Sequence, residues 1–286
     1  MRMLLLVLAA ALLLCAGAFA QEIKTEKNVV YGQGGGHDLI MHVTEVDDGV
    51  DFKPAMVCIH GGGWAGGEPD AMLGMAEGMA KIGFKCFSIQ YRLTGEAKWP
   101  AQIIDCKTAV RHIRANAKKY NINPNRIGAM GHSAGGHLCC MLGVLKPGEY
   151  EGVEHPAVSS QIQGVVNYCG PEDFSYYLTL THLPPPISIR DDALGWLFDG
   201  TPEGRDYWIP EASPITHVSR ASAPHLLIHG TTDDLVWYRQ AEPYRDRLRA
   251  CGVRCDWVLV EGGWHIIDNY DIWPDITKFC KEVFFK

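Results

Sequence analysis

The chain has 286 residues, of which 47% are hydrophobic, and its formal net charge of -7 corresponds to a pI near 5.9. A hydrophobic fraction of this size supports a packed core. The acidic balance argues against nucleic acid or an anionic membrane as a partner.

The start of the chain matches the pattern of an export signal. A basic start at Met1–Met3 is followed by the almost wholly apolar segment Leu4–Leu14, and Ala18–Ala20 fits the small-x-small cleavage pattern. The apolar segment is too short to span a bilayer comfortably, and no other part of the chain has the composition of a transmembrane helix. The sequence therefore predicts a signal peptide over residues 1–20, export to the periplasm or beyond, and one mature domain over residues 21–286.

Strand-like and helix-like segments then alternate along the mature chain. The predicted strands are 29–31, 38–46, 55–59, 84–91, 126–130, 162–169, 224–229 and 256–260. The predicted helices are 69–82, 100–119, 134–145, 238–251 and 271–284. This order predicts an α/β fold in which helices cover both faces of a mostly parallel eight-stranded sheet. In strand 38–46 the apolar residues recur with period two, which suits an antiparallel edge strand with one solvent-facing side.

A run of glycines follows the third predicted strand, in the sequence His60-Gly61-Gly62-Gly63-Trp64. Consecutive glycines lose much backbone entropy on folding unless the bare backbone has a use. After a buried strand, that use is to aim peptide N–H groups at a developing oxyanion. Gly61 and Gly62 are therefore predicted oxyanion-hole donors, together with Ala134, which follows the candidate nucleophile described next.

Strand 126–130 leads into Gly131-His132-Ser133-Ala134-Gly135, and a helix-like run begins directly after it. This G-x-S-x-G pattern predicts a nucleophile elbow, a tight turn that holds the serine in a strained conformation. Glycines flank the serine because side chains there would collide with neighbouring elements. Ser133 is the candidate nucleophile. The same string also occurs in ordinary turns, so the interpretation depends on the other motifs.

Residues 171–211 interrupt the alternation of strands and helices. The segment is rich in aromatic residues and in proline, including Pro184-Pro185-Pro186. Long connections in compact domains are usually functional. We predict that this insertion forms a small lid or substrate wall.

Two later strands end in turns that carry acids and a histidine. The segment Leu226–Val236 contains Asp233 and Asp234, and the segment Trp257–His265 ends at the histidine. Open parallel sheets place their ligands at the carboxyl ends of the strands. The chain order serine, acid, histidine is that of α/β hydrolases and differs from that of other serine hydrolase folds.

The chain resembles the α/β-hydrolase superfamily and, within it, small carboxylesterases that include hormone-sensitive-lipase-like enzymes and bacterial feruloyl and acetylxylan esterase-like proteins. The residues that carry the resemblance, over about residues 28 to 286, are 60–64, 91–93, 100–102 with Asp105, 123–127, 131–138, 213–218 and 229–233. The resemblance implies that Ser133 is the nucleophile, Asp233 the orienting acid and His265 the base. Asp233 is preferred to Asp234 because it completes the family spacing His-Gly-x-x-Asp.

Bulky residues beside these motifs predict a small acyl site. The family commonly has glycine after the histidine, whereas this chain has Ile266 there. Trp264 and Trp237 would also crowd the acyl side if they face the cleft, so we expect acetyl or propionyl esters to be accepted and long chains rejected. Trp64 and Trp237, each next to a catalytic motif, are the predicted substrate-binding residues.

The resemblance implies a serine carboxylic-ester hydrolase that needs no cofactor. It implies acetyl or feruloyl groups of plant polysaccharide as substrates, with a general short-chain carboxylesterase, an arylformamidase or a peptidase of the same fold as alternatives. From a different class, the alternative is a non-catalytic carbohydrate-binding protein on a hydrolase scaffold. That alternative is disfavoured because the serine, the acid, the histidine and the oxyanion glycines are all present. The oligomeric state is not predicted.

Other polar residues near the motifs are expected to have structural roles. Arg92 and Asp105 are predicted to form a buried pair that holds the loop after the third strand. His132 and His137 flank the nucleophile, and the resemblance assigns them to the packing of the elbow.

Most cysteines are expected to be buried and without a metal. Those in predicted strands or in the helix after the nucleophile behave as small hydrophobes. They are Cys58, Cys86, Cys139, Cys140 and Cys169. Cys251 and Cys255 flank a turn, and whether they pair stays open. They lack the second cysteine or histidine pair of a zinc site, so no metal is predicted.

Overall fold

The computed structural model describes residues 22–179, 194–198, 202–266 and 270–286. Its strands are β1 (Ile23–Gly34), β2 (His37–Val46), β3 (Lys53–Ile59), β4 (Lys85–Ile89), β5 (Ile122–His132), β6 (Val165–Tyr168), β7 (His225–Gly230) and β8 (Cys255–Val260). Its helices are α1 (Leu73–Lys81), α2 (Ala101–Ala115), α3 (Ala134–Val144), α4 (Phe174–Thr179), α5 (Leu194–Leu197), α6 (Pro202–Ala212), α7 (Pro214–His217), α8 (Ala241–Ala250) and α9 (Trp273–Phe284). The predicted signal peptide, residues 1–20, lies outside the described residues.

The eight strands form one sheet in the order β1-β2-β4-β3-β5-β6-β7-β8. β2 runs antiparallel to both β1 and β4, whereas every neighbouring pair from β4 to β8 is parallel. The predicted mostly parallel eight-stranded sheet is therefore confirmed. Because parallel strands end at the same edge, the loops after β3, β5, β7 and β8 meet there. These loops contain all the predicted catalytic residues.

The antiparallel edge of the sheet differs from the prediction. β1 extends well beyond the predicted strand 29–31, because its backbone pairs with β2 along almost its whole length. β1 is the edge strand, and the prediction that strand 38–46 is an edge is wrong. Its polar face is also covered: His42 and Thr44 are buried, and His42 Nε2 contacts Asp70 in the turn before α1. Alternation in the sequence does not reveal such covering by a distant segment.

Helices cover both faces of the sheet, and alternate residues of the central strands enter the two layers. In β3, Ala55, Val57 and Ile59 pack in the layer that contains α2, α3 and α8. Met56 and Cys58 pack in the layer that contains α1 and α9. This two-sided burial explains the continuous apolar run in β3. The same burial fixes the position of the end of β3, where the glycine loop begins.

Most of the described part of the predicted insertion 171–211 is helical, in α4, α5 and α6. Phe174, at the start of α4, packs against Trp64 and His137, with ring centroids 5.6 and 4.9 Å apart. Residues 180–193 and 199–201 of the insertion lie outside the described residues. The insertion therefore contacts both the glycine loop and the helix after the elbow.

Two structural predictions are confirmed. Arg92 Nη2 lies 2.7 Å from Asp105 Oδ1, and the same buried carboxylate accepts the Arg92 backbone N–H at 2.8 Å. The cysteines that were expected in the core are buried: Cys58, Cys86, Cys139, Cys140 and Cys169. Every cysteine in the described ranges is a free thiol, and this includes Cys251 and Cys255.

A membrane-crossing helix is not found in the part of the chain that the structure describes, because none of the helices there combines the necessary length with the necessary hydrophobicity.

Candidate active site

Ser133 occupies the turn between β5, which ends at His132, and α3, which begins at Ala134. Its φ of 55° and ψ of -121° lie outside the regions that residues with a Cβ normally adopt. Its backbone N–H donates to Tyr168 O at 2.8 Å, and its carbonyl accepts the N–H of His137 at 3.0 Å. The strained turn is thus held from both sides, as a nucleophile elbow requires.

The glycines around Ser133 are required by close backbone contacts. A Cβ on Gly131 would lie 2.3 Å from the backbone of Gly135. A Cβ on Gly135 would lie 2.0 Å from the carbonyl oxygen of Ile59. Both distances are too short for any side chain. Glycine at these two positions therefore allows α3 to pack closely against the ends of β3 and β5.

The glycine loop after β3 packs directly on this elbow. A Cβ on Gly61 would lie 2.9 Å from His132 O and 3.1 Å from Ser133 Cβ. Gly62 has a φ of 109°, which glycine adopts without strain. Among the backbone–backbone hydrogen bonds that lie outside regular helices and strands in the described residues, none uses the N–H of Gly61, Gly62 or Ala134. The predicted oxyanion-hole donors therefore belong to one compact group of backbone segments around the serine.

Asp233 lies in the loop after β7, and its carboxylate is buried. Oδ1 accepts the N–H groups of Leu235 at 3.0 Å and Val236 at 2.8 Å. Oδ2 accepts from His265 Nδ1 at 2.8 Å and from His229 Nε2 at 3.1 Å. Burial acts to raise the pKa of Asp233, but the hydrogen bonds from the two histidines outweigh it and hold the pKa well below its usual range. The carboxylate is therefore ionised at neutral pH.

The acid loop and the histidine loop are joined through their backbones. The N–H and the hydroxyl of Thr232 both donate to Gly263 O, each at 2.9 Å. A Cβ on Gly230 would lie 2.2 Å from the same oxygen, so only glycine fits where the loops cross. His132 Nε2 donates to His265 O at 3.0 Å, and the two rings lie 4.8 Å apart. His265 is thus held against both Asp233 and the residue before Ser133.

The neighbouring acid, Asp234, is exposed and has a different partner. Its carboxylate accepts the indole N–H of Trp264, whose side chain is 45% exposed. Asp233 therefore faces His265 in the interior, and Asp234 lies on the surface. Trp264 does not crowd the acyl side, because this hydrogen bond holds its indole outside.

The two tryptophans that were predicted to bind substrate differ in position. Trp64 is 1% exposed, and its indole N–H donates to His137 Nδ1 at 3.2 Å. The prediction for Trp64 is therefore wrong: the ring belongs to the core beneath the insertion. Burial lowers the pKa of His137 to about 4, so this histidine is neutral and fits its expected packing role. Trp237 is half-buried with its ring 5.8 Å from that of Tyr176, and its role in binding stays a prediction.

A cavity of about 170 Å³ opens beside the elbow on the sheet face covered by α1 and α9. Gly61 and His132 line it and connect it to the glycine loop and the elbow. Most of its lining is apolar and consists of Ala71, Met72, Met75, Met130, Tyr168 and Ile266. Ile266 was predicted from the sequence to border the acyl site, whereas none of the methionines was. Only the tertiary fold brings Met72, Met75 and Met130 together, since they come from the turn before α1, from α1 and from β5.

His229 and Cys169 also stand at the site, although the sequence analysis gave neither a catalytic role. The polar side-chain atoms of Cys169, His229 and Asp233 lie within 4.8 Å of one another. His229 Nε2 donates to Val236 O at 2.7 Å, so this nitrogen carries a proton. The signal available in the sequence was the position of His229, four residues before Asp233 in the His-Gly-x-x-Asp spacing.

Comparisons with known proteins agree with this fold. The BD-FAE family model matches residues 41–248. Esterase LipC of Mycobacterium tuberculosis is 32% identical over 222 residues, which are 76% of this chain and 54% of that protein. An acetylxylan esterase of Xylanibacter ruminicola is 34% identical over 137 residues, which are 40% of this chain and 28% of that protein. The chain spans about half the length of the mycobacterial relative.

Among solved structures, a truncated form of a carbohydrate esterase from gut microbiota has a TM-score of 0.80 at 28% sequence identity. The match covers 92% of this chain and 97% of that chain. The family model covers well over half of the sequence, from β2 to α8. The chain therefore belongs to the BD-FAE family, within the α/β-hydrolase fold.

Proposed function

We propose that this protein is a serine carboxylic-ester hydrolase in which Ser133 is the nucleophile, His265 the general base and Asp233 the acid that orients the base. The observation that carries the proposal is the buried Asp233–His265 pair held against a strained serine turn. The names of the relatives, an esterase and an acetylxylan esterase, support an activity on esters. Asp233 accepts from His265 Nδ1, which leaves Nε2 to accept a proton.

The reaction then consists of two acyl transfers. His265 Nε2 takes the hydroxyl proton of Ser133 while Oγ bonds to the ester carbonyl carbon. The N–H groups of Gly61, Gly62 and Ala134 stabilise the charge on the tetrahedral oxygen. The carbon–oxygen bond to the alcohol breaks, and the alcohol leaves with the proton from His265. Water, deprotonated by His265, then attacks the acyl-enzyme, which releases the acid and restores the serine.

Labelling with a fluorophosphonate, combined with hydrolysis of phenyl acetate, tests this function. The wild-type protein is expected to hydrolyse the ester and to form one covalent adduct, at Ser133. A non-catalytic carbohydrate-binding protein would neither hydrolyse the ester nor react with the probe, and that result would refute the proposal.

The methionine-lined cavity supports a short acyl group as the acid part of the substrate. An engineered apolar cavity of about 150 Å³ holds benzene. By that measure the present cavity of about 170 Å³ takes a group of about four to six carbons. An acetyl, propionyl or butyryl group fits. A feruloyl group, which has a substituted ring on an unsaturated chain, exceeds this space. Of the acyl groups considered from the sequence, we therefore favour acetyl.

For phenyl esters, we expect kcat/KM to change little from acetate to butyrate and to fall steeply towards octanoate. Each methylene that does not fit the cavity weakens transition-state binding by about 1 to 3 kcal/mol. The kcat/KM for octanoate should therefore be at least about a hundredfold lower than that for butyrate. Met75→Ala removes part of the cavity wall and should raise the octanoate to acetate ratio about tenfold. Leu73→Ala, on the same helix but outside the lining, should leave the ratio unchanged. A wild-type preference for octanoate would show that the acyl chain lies elsewhere.

Two exposed aromatic residues close to His265 in the chain support a sugar as the alcohol part of the substrate. Trp264 and Tyr270 are 45% and 40% exposed, and Asp234 adds a carboxylate next to the indole. Aromatic faces suit the C–H faces of sugar rings, and a carboxylate accepts their hydroxyls. The carbohydrate esterase among the structural neighbours agrees with such a substrate. We therefore propose acetylated carbohydrate as the substrate class.

Trp264→Ala is expected to lower kcat/KM for acetylated xylo-oligosaccharides about tenfold more than for phenyl acetate, because a stacking surface is lost. Comparison of the two substrates measures this ratio. Phe52→Ala is a matched control. Phe52 is also exposed, but it lies directly before β3, at the amino ends of the parallel strands and not at their carboxyl ends. Equal losses on both substrates in Trp264→Ala would indicate that the ring does not contact the sugar.

A further inference from the structure

Two histidines donate to one oxygen of Asp233, and the mechanism above uses only one of them. Oδ2 lies 2.8 Å from His265 Nδ1 and 3.1 Å from His229 Nε2. His229 is buried near the end of β7, and it is not among the residues that line the cavity described above. A buried titratable side chain in contact with the orienting carboxylate is a candidate for a function of its own.

A third group fixes the proton of His229. Its Nε2 lies 2.7 Å from Val236 O. A carbonyl oxygen only accepts, so Nε2 carries a hydrogen that is shared between Val236 O and Asp233 Oδ2. The N–H of Val236 in turn donates to Asp233 Oδ1 at 2.8 Å. His229, Val236 and Asp233 therefore form a closed ring of hydrogen bonds in which the histidine is always a donor.

We propose that His229 is a positioning residue, which orients the Asp233 carboxylate and weakens the pull of that carboxylate on His265. The proposal rests on the proposed function, because it requires a working serine, acid and histidine. A donor on Oδ2 draws electron density from the same oxygen that accepts His265 Nδ1–H. The charged form of His265 is then stabilised less than it would be by a carboxylate without this donor. His265 consequently remains able to accept a proton at lower pH.

Other titratable groups close to the pair come from neighbouring strand ends. His132 is the last residue of β5, and its ring lies 4.8 Å from that of His265. Cys169 follows β6, and burial together with the charge of Asp233 raises the pKa of its thiol well above the usual value. Glu172 also raises the pKa of that thiol through its charge. Glu172 is itself buried, and burial raises its own pKa. Asp233 is thus the charged group in direct contact with both of the histidines that donate to it.

Two amide substitutions at His229 test the proposal. Glutamine places its side-chain nitrogen close to the position of Nε2, whereas asparagine is one methylene shorter and does not reach the carboxylate. In His229→Asn, the acid limb of kcat/KM for phenyl acetate is expected to shift to higher pH by about 0.5 to 1 unit. At the plateau, kcat should fall about ten- to a hundredfold because Asp233 loses its orientation. In His229→Gln, both quantities should stay close to wild type.

His225 provides a matched control in the same strand. It is also buried, but its ring nitrogens bond to Ala223 O at 2.7 Å and to the hydroxyl of Tyr244 at 2.8 Å, away from the acid. His225→Asn is expected to lower the melting temperature without moving the acid limb. This control separates the general loss of a buried histidine from the specific loss of a donor to Asp233.

The outcomes of these experiments are distinct. An unmoved acid limb in a folded His229→Asn variant that still reacts with fluorophosphonate would overturn the proposal. If His229→Asn does not fold, His229→Gln decides, because a packing role predicts a large loss of turnover there and the proposal predicts nearly none. A wild-type protein without labelling or ester hydrolysis would instead refute the proposed function.

Discussion

Ser133→Ala is expected to lower kcat for phenyl acetate by about a millionfold, the scale found when the serine of a serine hydrolase is removed. The substitution removes Oγ, the atom that bonds to the acyl carbon. The hydrogen bonds that hold the elbow come from the backbone of Ser133, to Tyr168 O and from His137 N, and they remain. The melting temperature should therefore stay close to wild type. Steady-state kinetics on the purified variant, with thermal unfolding beside it, measures both quantities.

A matched control for this variant is Ser160→Ala. Ser160 is also buried, but its hydroxyl donates to Glu151. Both residues lie in the segment before β6, which enters the sheet at the amino ends of the parallel strands. Its activity should equal that of the wild type. If Ser133→Ala keeps more than a few per cent of wild-type turnover, or if fluorophosphonate labels another residue, the nucleophile has been assigned wrongly.

Asp233→Asn is expected to lower kcat by about ten-thousandfold, which is the loss found when the triad aspartate of a serine protease is replaced by asparagine. The carboxylate accepts two backbone N–H groups on Oδ1 and two imidazoles on Oδ2. An amide has only one accepting oxygen. Its NH2 group must therefore face either the two backbone N–H groups or the two imidazoles, all of which are hydrogen-bond donors. If that group turns towards His265, it holds the imidazole in the wrong tautomer. The pH profile of kcat in the variant, with the wild type beside it, records this loss.

Asp234→Asn is the internal control for the acid. Asp234 lies on the surface and bonds to the indole of Trp264, so its substitution should change kcat for phenyl acetate by no more than about twofold. The comparison is decisive because the two acids are adjacent in the chain. Greater damage in Asp234→Asn than in Asp233→Asn would show that the wrong acid has been chosen.

Much of the fold follows from short segments of sequence. The apolar run in β3, the glycines on both sides of Ser133 and the alternation of strands with helices each encode local structure, and the sheet they predict is confirmed. Close contacts explain why: a Cβ at Gly131 or Gly135 would meet backbone atoms at 2.3 and 2.0 Å. Such constraints admit only glycine at these positions, so they leave a direct trace in the sequence.

The antiparallel edge could not be predicted in the same way. The polar positions of β2 indicate a wet face, yet His42 and Thr44 are buried by the remainder of the fold. Likewise, Trp64 stands next to a catalytic motif, but its indole bonds to His137 and packs beneath the insertion. In both cases burial depends on a segment far away in the chain, and local pattern contains no information about that segment.

The sequence by itself determined the α/β architecture, the glycine loop, the elbow at Ser133 and the chain order of serine, acid and histidine, because each can be recognised from short local motifs and their order along the chain. Only the tertiary structure decided which side chains from distant segments meet. It placed Asp233 inside against His265 and Asp234 outside against Trp264. It also brought Met72, Met75 and Met130 around one cavity and His229 onto the carboxylate. The physical reason is that burial and hydrogen-bond partners are properties of the packed chain, and adjacent residues such as these two acids can differ in both.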